Sequence, residues 1–334
     1  MILIVGGTGY IGRYLSIYLK EKGYDVLALG RSDKVKEFFD NNNIKFQKFN
    51  IENDEDFNIL PTENVEAIVN LAAILAEHET PVEKFFDINT IGTYKILEFA
   101  RRNNIKKVIM TSSHKVYNAV EKDGKISEED RVCFQGDHTP YIISKIAAEQ
   151  FMEYYNKEFG LDTISLRLTG VHGYGEVLGF LTKEGDYTKS TFEIFVEKAL
   201  KGEDIEVWGK NDVRRDHVYV KDVLSAIECS IKAEGASGIY NIASGKGYTL
   251  YEEAQYIAKV FSTDKMESRV ILNENKPGLS RGYIYDIEKA KKELNWKPKF
   301  DDYETMLRDY KKEWKEKKFK NYHYIKEEKK PVTF

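Results

Sequence analysis

Short apolar runs alternate with amphipathic helical patterns through the first half of this chain. Branched apolar residues dominate the first run, and helical spacing follows it from Ile11 to Leu19. Two longer stretches, Glu83–Asn103 and Tyr141–Phe159, also have helical patterns. Alternation of this kind is typical of βαβ units, so we predict an α/β fold built on a doubly wound parallel sheet. The predicted strands are Met1–Val5, Asp25–Leu29, Ala67–Leu71, Lys107–Met110 and Thr163–Leu168.

The alternation ends after Thr169, where glycines become frequent. The pattern beyond it predicts a helix over Thr191–Lys201 and a short strand over Ile205–Trp208. A further strand, Ile239–Ala243, is predicted to return to the main sheet. We therefore predict a sheet domain and a smaller C-terminal lobe. The sheet domain would comprise residues 1–168 and 216–243, and the lobe residues 169–215 and 244–334.

The first predicted strand leads directly into the segment GGTGYIG, which places Gly6, Gly9 and Gly12 ahead of a helix. In dinucleotide-binding proteins the first such glycine makes a tight turn, the second lets a phosphate approach the backbone, and the third lets the helix pack on the strand. The helix N-terminus, with Tyr10 and Ile11, adds N–H groups and the positive end of the helix dipole. We predict that this turn binds the pyrophosphate of a dinucleotide and is more than a plain tight turn.

Charge and composition exclude several classes of protein. The chain has 334 residues and a formal net charge of −4 with both signs interspersed, which argues against a nucleic-acid partner. Its two cysteines, Cys133 and Cys229, are far apart, which is typical of neither a disulfide scaffold nor a zinc site. Charged residues interrupt every apolar run before membrane-spanning length, and the first strand leaves no room for a signal peptide. We expect a cytoplasmic protein without a metal or a membrane partner.

Tyr141 and Lys145 have the spacing that puts two side chains on one face of a helix. Tyr141 follows a strand whose carboxyl end continues as Thr111-Ser112-Ser113, at the sheet edge where α/β proteins bind ligands. A lysine ammonium about 4 Å away would lower the pKa of a tyrosine from about 10 by up to about three units. Tyr141 would then exchange a proton with a sugar hydroxyl during hydride transfer, while Ser113 binds the same oxygen. The same spacing occurs at Tyr18/Lys22, Tyr285/Lys289 and Tyr322/Lys326, so position selects among the pairs.

Several motifs in this order resemble those of the extended short-chain dehydrogenase/reductases, in particular the nucleotide-sugar epimerase/dehydratase family. The resemblance implies a Rossmann domain, an NAD or NADP cofactor and a nucleotide-sugar substrate. It also implies catalytic roles for Ser113, Tyr141 and Lys145. The motifs are GGTGYIG, NLAA at residues 70–73, TSSHKVY, the Tyr141/Lys145 pair, LRLTGVHG, RRDHVYVKDV and DIEKAKKELNW.

The same resemblance implies which residues bind the two ligands. Arg215 and Lys276 would contact the substrate diphosphate, and Ser113 the sugar. The alternative for Arg215 is a surface ion pair with Asp212 or Asp216. The residues implied around the cofactor, besides the glycine turn, are Asn50, Ile51, Asn70, Leu71, Ala72, Ala73, Asn89, Tyr141 and Lys145.

The chain departs from the family pattern in three places. Arg31 and Ser32 stand where a carboxylate would hold the adenosine ribose, and an arginine there suits a 2′-phosphate, so NADP is favoured over NAD. His114 and Lys115 replace the acidic pair of family dehydratases, which disfavours water elimination. His114 is then either a proton-transfer group or a residue that packs beside the site. Gly170 stands where many relatives have asparagine, so one diphosphate contact is absent.

These features favour an NAD(P)-dependent nucleotide-sugar epimerase that acts at C4 through a transient 4-keto intermediate. The close alternative is an NADPH-dependent reductase of a nucleotide-linked keto sugar, which Arg31 favours. A third interpretation is a catalytically silent dinucleotide-binding scaffold or sensor, against which the complete catalytic set argues. We also expect a homodimer formed by the helices near Glu83–Asn103 and Tyr141–Phe159, as in family relatives.

Overall fold

A computed structural model of the chain describes residues 1–75, 80–117, 120, 122–130, 132, 138–175, 179–181, 187–262, 267–279 and 281–316. The strands within these residues are β1 (Ile2–Val5), β2 (Val26–Gly30), β3 (Lys45–Lys48), β4 (Ala67–Asn70), β5 (Lys107–Ser113), β6 (Asp162–Leu168), β7 (Gly170–His172), β8 (Gly179–Leu181), β9 (Tyr187–Lys189), β10 (Ile205–Trp208), β11 (Arg214–Tyr219), β12 (Gly238–Ile242), β13 (Gly247–Thr249) and β14 (Val270–Asn273).

Seven of these strands form one parallel sheet in the order β3-β2-β1-β4-β5-β6-β12. The chain runs outward from β1 in one direction and then crosses back to β4, so the two halves of the sheet diverge between β1 and β4. Doubly wound sheets bind ligands at the carboxyl ends of the strands beside such a point. The α/β fold with a doubly wound parallel sheet is confirmed.

Helices cover both faces of this sheet. The helices are α1 (Tyr10–Glu21), α2 (Lys36–Asn41), α3 (Val82–Phe85), α4 (Gly92–Arg102), α5 (Pro140–Phe159), α6 (Thr191–Lys201), α7 (Val220–Lys232), α8 (Leu250–Phe261), α9 (Glu288–Glu293) and α10 (Tyr303–Glu316). Successive side chains of a strand point to opposite faces, so Ile2 and Ile4 pack with α1 and α7, whereas Leu3 and Val5 pack with α4 and α5. Each face of β1 therefore contributes to its own hydrophobic core.

Two predicted elements differ from the sequence expectation. The helix expected over Glu83–Asn103 is present as α3 and α4, but Phe86–Ile91 between them is a π-helical turn. Turns of this kind are frequent at functional sites. Strand β5 continues beyond Met110 to Ser113, because its last three residues pair with β6. These residues are therefore held rigidly at the edge of the sheet.

Three smaller sheets lie outside the central one, with the strand pairings β10-β14, β13-β11-β7 and β8-β9. The strand expected at Ile239–Ala243 does return to the central sheet, as β12 beside β6. The division into two domains stays a prediction. Cys133, the Tyr322/Lys326 pair and the predicted lobe beyond Glu316 lie outside the described residues.

Across the part of the chain that the structure describes, no helix combines the length and the apolar character needed to cross a membrane. The same residues contain no group of three or more His, Cys, Asp or Glu side chains placed to hold a metal ion.

Candidate active site

The glycine turn after β1 is closed by backbone contacts that leave no room for side chains. Gly6 has a φ of +81°, a conformation that favours glycine, and a Cβ added to it would lie 2.7 Å from the Ala72 backbone nitrogen. A Cβ at Gly12 would lie 2.4 Å from the Gly6 carbonyl oxygen, so α1 packs directly on the turn. Gly9 is the N-cap of α1 and carries no capping side chain, which leaves the first N–H groups of the helix available to a phosphate. The turn therefore fits the pyrophosphate of a dinucleotide.

The first turn of α1 borders the glycine turn. Tyr10 and Ile11 are both half-buried. The Tyr10 hydroxyl lies within 1.9 Å of where a Cβ on Gly173 would be, so the missing side chain of Gly173 makes room for the tyrosine. This contact brings the segment after β7 against the start of α1.

Two buried asparagines hold the segment that follows β4. The Asn70 side-chain oxygen accepts a hydrogen bond from the Ala72 backbone at 3.1 Å, and its amide donates to a threonine hydroxyl on α4. Asn89, in the π-helical turn, bonds both the backbone N–H (2.9 Å) and the carbonyl (3.2 Å) of Ile74 and donates to Ser144 on α5. Both side-chain amides are occupied by these hydrogen bonds, so the two asparagines position the loop after β4. Within it, Leu71 and Ala72 are half-buried and Ala73 is exposed beside the glycine turn.

Arg31 lies at the carboxyl end of β2, where the adenosine ribose would bind. Its side chain is 64% exposed, and its guanidinium is 3.9 Å from the Glu52 carboxylate, which Lys84 holds more closely at 2.6 Å. Ser32 accepts a hydrogen bond from the Lys34 backbone at 3.2 Å and so caps the short turn that follows β2. An arginine that is exposed and loosely paired in this place suits a phosphate group.

The loop after β3 contains Asn50 and Ile51, two of the residues expected around the cofactor. The Asn50 backbone donates to Asp56 at 2.7 Å, and its side-chain oxygen accepts from the Glu52 backbone at 3.3 Å. Ile51 is buried against Gly92 at the start of α4, where an added Cβ would lie 2.7 Å from the isoleucine side chain. These contacts fix the position of the loop after β3.

Ser113, Tyr141 and Lys145 lie together at the carboxyl end of β5. Tyr141 is in the first turn of α5, which the Thr139 side chain caps, and the Ser113 side chain interacts with its hydroxyl. The Lys145 ammonium, one turn along the helix, donates to the Thr111 carbonyl oxygen at 2.9 Å. All three residues are less than one tenth exposed, Lys145 only 2%. The structure therefore brings together the three residues that the sequence singles out for catalysis.

Burial controls the pKa of both ionisable groups in this set. It lowers the pKa of Lys145 to about 8, while the nearby Glu149 carboxylate acts in the opposite direction. It also raises the pKa of Tyr141, and the Ser113 side chain offsets this rise only in part. The expected lowering of the Tyr141 pKa by Lys145 is wrong for the protein alone, because the ammonium is bonded to Thr111 and burial dominates.

His114 follows Ser113 and is directed away from the strand toward Tyr285. Its Nδ1 shares a hydrogen bond with the Tyr285 hydroxyl at 2.9 Å, and the two rings pack edge to face. Burial lowers the pKa of His114 to about 4, with Lys115 and His217 adding to the effect. The imidazole is therefore neutral and weakly basic near neutral pH, which favours the packing role over proton transfer.

Arg215 is paired across the lobe with a buried carboxylate. Its guanidinium lies 2.9 Å from Glu253, which also lies 2.8 Å from His217 Nε2. His217 Nδ1 in turn shares a hydrogen bond with His172 at 3.1 Å, and burial lowers the pKa of His172. A Cβ at Gly170 would lie 3.5 Å from His217, so the missing asparagine side chain leaves this histidine as the nearest group. Arg215 keeps 32% of its side chain exposed.

The ion pair of Arg215 with Asp212 or Asp216, considered as an alternative, is not found among the described residues. Asp216 is buried and accepts hydrogen bonds from the backbones of Ser244 (3.0 Å), Gly245 (3.0 Å) and Tyr285 (3.2 Å). Burial raises its pKa to about 6 despite these donors. Asp216 therefore organises the loop after β12 instead of neutralising Arg215.

Lys276 lies three residues after β14, next to the small β10-β14 sheet. Its ammonium is 3.1 Å from the Glu206 carboxylate and 4.4 Å from the centre of the Trp208 ring. Glu206 also accepts from Trp208 Nε1 at 3.0 Å and from Asn273 at 2.7 Å, and these donors lower its pKa to about 2. Lys276 is 42% exposed, but to meet a phosphate it must share or leave this carboxylate.

Some residues of the site were missed by the sequence reasoning. The Thr111 carbonyl, which binds Lys145, has no sequence signal because any residue supplies a carbonyl. Glu253 is 38 positions from Arg215, and no local pattern connects them. Glu149 could have been found, because it continues the spacing of Tyr141 and Lys145 by one more helical turn.

Comparisons with known proteins identify relatives of the whole chain. It is 26% identical over 308 residues to dTDP-4-dehydro-6-deoxyglucose reductase of Escherichia coli, and this alignment covers 89% of this chain and 92% of that protein. It is 24% identical over 319 residues to UDP-glucose 4-epimerase of Halalkalibacterium halodurans, and this alignment covers 92% of this chain and 93% of that protein. The solved UDP-glucose 4-epimerase of Thermotoga maritima with UDP-glucose superimposes with a TM-score of 0.74 at 26% identity, over 94% of this chain and 98% of that one. Residues 2–243 match the model of the NAD dependent epimerase/dehydratase family, and the chain belongs to that family.

Proposed function

We propose that this protein is an NAD(P)-dependent nucleotide-sugar epimerase that inverts C4 of the sugar through a transient 4-keto sugar. The observation that carries the proposal is the buried cluster of Ser113, Tyr141 and Lys145 at the end of β5, with the Lys145 ammonium bonded to the Thr111 carbonyl. Inversion by hydride transfer at a single carbon needs one proton-transfer group. The neutral His114, bonded to Tyr285, provides little support for a second one. Chemistry confined to one carbon fits this set best.

The chain's own residues have distinct tasks in this reaction. Tyr141 takes the proton of the C4 hydroxyl when the sugar is oxidised and returns it when the ketone is reduced. Ser113 hydrogen-bonds the same oxygen while charge develops on it. Lys145 contributes a positive charge beside the tyrosine. A nicotinamide cofactor would supply the acceptor and donor of the hydride, and the glycine turn with the loop after β4 would hold it.

The substrate proposal is a hexose linked to a nucleoside diphosphate. Arg215 supports it, because its guanidinium is held by Glu253 yet about one third of its side chain remains exposed. Lys276 would add a second positive charge on leaving Glu206. Two relatives named above act on such compounds, and a third was solved with UDP-glucose.

The second candidate is an NADPH-dependent reductase of a nucleotide-linked keto sugar, and Arg31 is the observation that favours it. An exposed arginine at the end of β2 suits the 2′-phosphate of NADP, which we propose as the preferred cofactor. Net reduction draws on NADPH, whereas an epimerase recovers the hydride that it removes. The two candidates therefore differ in redox balance, although their catalytic residues are the same.

Redox balance is also the test. Purified protein is incubated with UDP-glucose and related nucleotide hexoses, and the products are separated while the absorbance of reduced nicotinamide is followed. We expect interconversion of the C4 epimers, no sustained change in that absorbance and no incorporation of solvent deuterium. Stoichiometric oxidation of NADPH by a nucleotide-linked keto sugar, without isomerisation of any nucleotide hexose, would establish the reductase. Inactivity in both assays would favour the silent scaffold.

We also propose that the protein is a homodimer. The exposed apolar residues of α4, α5 and the π-helical turn include Ile91 (41%), Tyr94 (37%), Ile143 (45%) and Tyr154 (52%). Because α4 and α5 pack side by side, these residues belong to one surface that a second copy would cover. Light scattering should give a dimer at micromolar concentration and a monomer for Ile143→Glu. The control Ile59→Glu changes an exposed isoleucine elsewhere and should leave the dimer intact.

A further inference from the structure

A buried ion pair lies one helical turn beyond Lys145. The Glu149 carboxylate on α5 accepts hydrogen bonds from Arg167 Nε at 2.9 Å and Nη2 at 2.7 Å. It also accepts a hydrogen bond from Ser112 Oγ at 2.6 Å. Glu149 and Arg167 are only 3% and 4% exposed. The pair therefore joins α5 to β5 and β6 beneath the carboxyl end of the sheet.

Stability alone does not account for this pair. Removing two charges from water is unfavourable, and replacing such a pair by well-packed apolar residues often leaves a protein as stable or makes it more stable. Arg167 Nη1 is in addition buried without a hydrogen-bond partner among the described residues, which adds to the cost. A carboxylate retained here calls for a role in the electrostatics of its neighbours.

The neighbours of Glu149 are the catalytic groups. Glu149 follows Lys145 by four residues, so the two side chains lie on the same face of α5. Its other partner, Ser112, stands between Thr111, whose carbonyl binds the Lys145 ammonium, and Ser113. Within the described chain, Glu149 is the charged group that raises the pKa of Lys145 against the effect of burial.

We propose that Glu149 is a positioning residue for Lys145. Arg167 determines how strongly the Glu149 carboxylate acts on the Lys145 ammonium. The carboxylate favours the ammonium form of Lys145 and holds α5 in register with the end of β5. The guanidinium neutralises part of that carboxylate, so the field at Lys145 is the difference between the two charges. This role rests on the proposed function only in taking Tyr141 and Lys145 as the catalytic pair.

Other charged or titratable groups face the ion pair from the surrounding elements. The Arg167 guanidinium lies 4.6 Å from the centre of the Tyr117 ring, whose hydroxyl donates to Asn241 on β12. Burial raises the pKa of Tyr117 to about 12, so that it remains neutral. Glu128 interacts electrostatically with Tyr117 and accepts a hydrogen bond from the Asn241 backbone at 2.6 Å. Lys145 is the ionisable group that Glu149 faces on α5 itself.

The titration of Lys145 tests the proposal without any substrate. Full-length protein is labelled with 13Cε-lysine, and the NMR signal that disappears in Lys145→Met is followed from neutral to alkaline pH. We expect the Glu149→Gln variant to lower the Lys145 pKa by about one unit or more, because a cation then remains unpaired nearby. Arg167→Met should raise that pKa, because the carboxylate is no longer neutralised. The double variant should return it to within about 0.5 units of wild type.

Opposite shifts that cancel separate an electrostatic role from a structural one. If both single variants move the Lys145 pKa in the same direction, or if Glu149→Gln leaves it unchanged, the proposal is overturned. The matched control is Glu153→Gln, one turn farther along α5, where an exposed carboxylate pairs with Lys157 and no shift is expected. If Glu149→Gln does not fold, the upward shift of Arg167→Met and the cancellation in the double variant decide the question.

The same variants distinguish this proposal from the proposed function. The NMR readout reports Lys145 whether or not the protein turns over a nucleotide sugar, so inactivity toward every hexose tested leaves it interpretable. Where epimerisation is observed, the pH profile of kcat should move with the Lys145 pKa in each variant. A constant profile beside a shifted Lys145 would remove Lys145 from catalysis and leave the electrostatic link itself intact.

Discussion

The buried ammonium of Lys145 should make the protein without cofactor less stable at neutral pH than at alkaline pH. The folded protein holds this group at a pKa of about 8, below the ordinary value of 10.5, because burial disfavours the charged form. Between these two values the unfolded chain binds more protons than the folded one, so stability rises with pH across that window. Below pH 8 the whole cost of the buried charge is present.

The size of this effect follows from the shift. A pKa lowered by about 2.5 units corresponds to about 3 kcal/mol, and about 2 kcal/mol of it is regained between about pH 7 and about pH 9.5. Replacing the lysine by methionine removes the charge and fills much of the same volume. The stability of Lys145→Met relative to wild type should therefore be about 2 kcal/mol more favourable at pH 7 than at pH 9.5. The lost hydrogen bond to Thr111 adds an offset that does not depend on pH.

Urea denaturation of both proteins, without cofactor, at several pH values measures this difference. Other titrating groups are common to both proteins and cancel in the comparison. Lys157→Met is the control, because Lys157 lies on the same helix, is 68% exposed and pairs only with exposed Glu153; its stability relative to wild type should not depend on pH. A Lys145→Met difference that is constant with pH, or that grows toward alkaline pH, would refute the burial argument.

Three further substitutions test the site. Tyr141→Phe should lower turnover at least about a hundredfold while cofactor affinity, measured by calorimetry, is kept; undiminished activity would return attention to the other tyrosine–lysine pairs. Arg31→Ala should weaken NADP binding more than NAD binding in parallel titrations, because it removes the charge facing the 2′-phosphate, and an unchanged ratio would make Arg31 a bystander. His114→Gln should keep turnover within about threefold and leave the pH profile unchanged between about pH 5 and 8, because the imidazole, with a pKa of about 4, does not titrate there; a lost limb would restore it as a proton-transfer group.

The parts of the fold that could be predicted from sequence are those with local causes. The glycine turn is one example, because Gly6 and Gly12 are required by contacts within a single strand-turn-helix unit. The Tyr141/Lys145 pair is another, because helical spacing alone puts both side chains on one face. Ser113, Tyr141 and Lys145, the proposed catalytic residues, could be placed together because parallel strands end at a common edge of the sheet.

Partners from distant parts of the chain could not be predicted in the same way. Arg215 had two acidic neighbours in sequence, yet it pairs with Glu253 because β11 lies beside β13, which leads into α8. Asp216, the neighbour expected on the surface, is buried among backbone donors instead. Charge in a sequence does not reveal burial, and burial decides which partner an ionised group requires.

Burial also determines the protonation states of Tyr141 and Lys145, the proposed catalytic pair, in the protein without cofactor. Desolvation raises the pKa of Tyr141 and lowers that of Lys145, so it favours the uncharged form of both groups. The reaction needs the opposite, a tyrosine that releases its proton beside a charged lysine. Glu149 counteracts this for Lys145, whereas at Tyr141 the Ser113 side chain opposes burial only in part. A cationic nicotinamide is a charge of the right sign, so we expect proton removal by Tyr141 to require the oxidised cofactor.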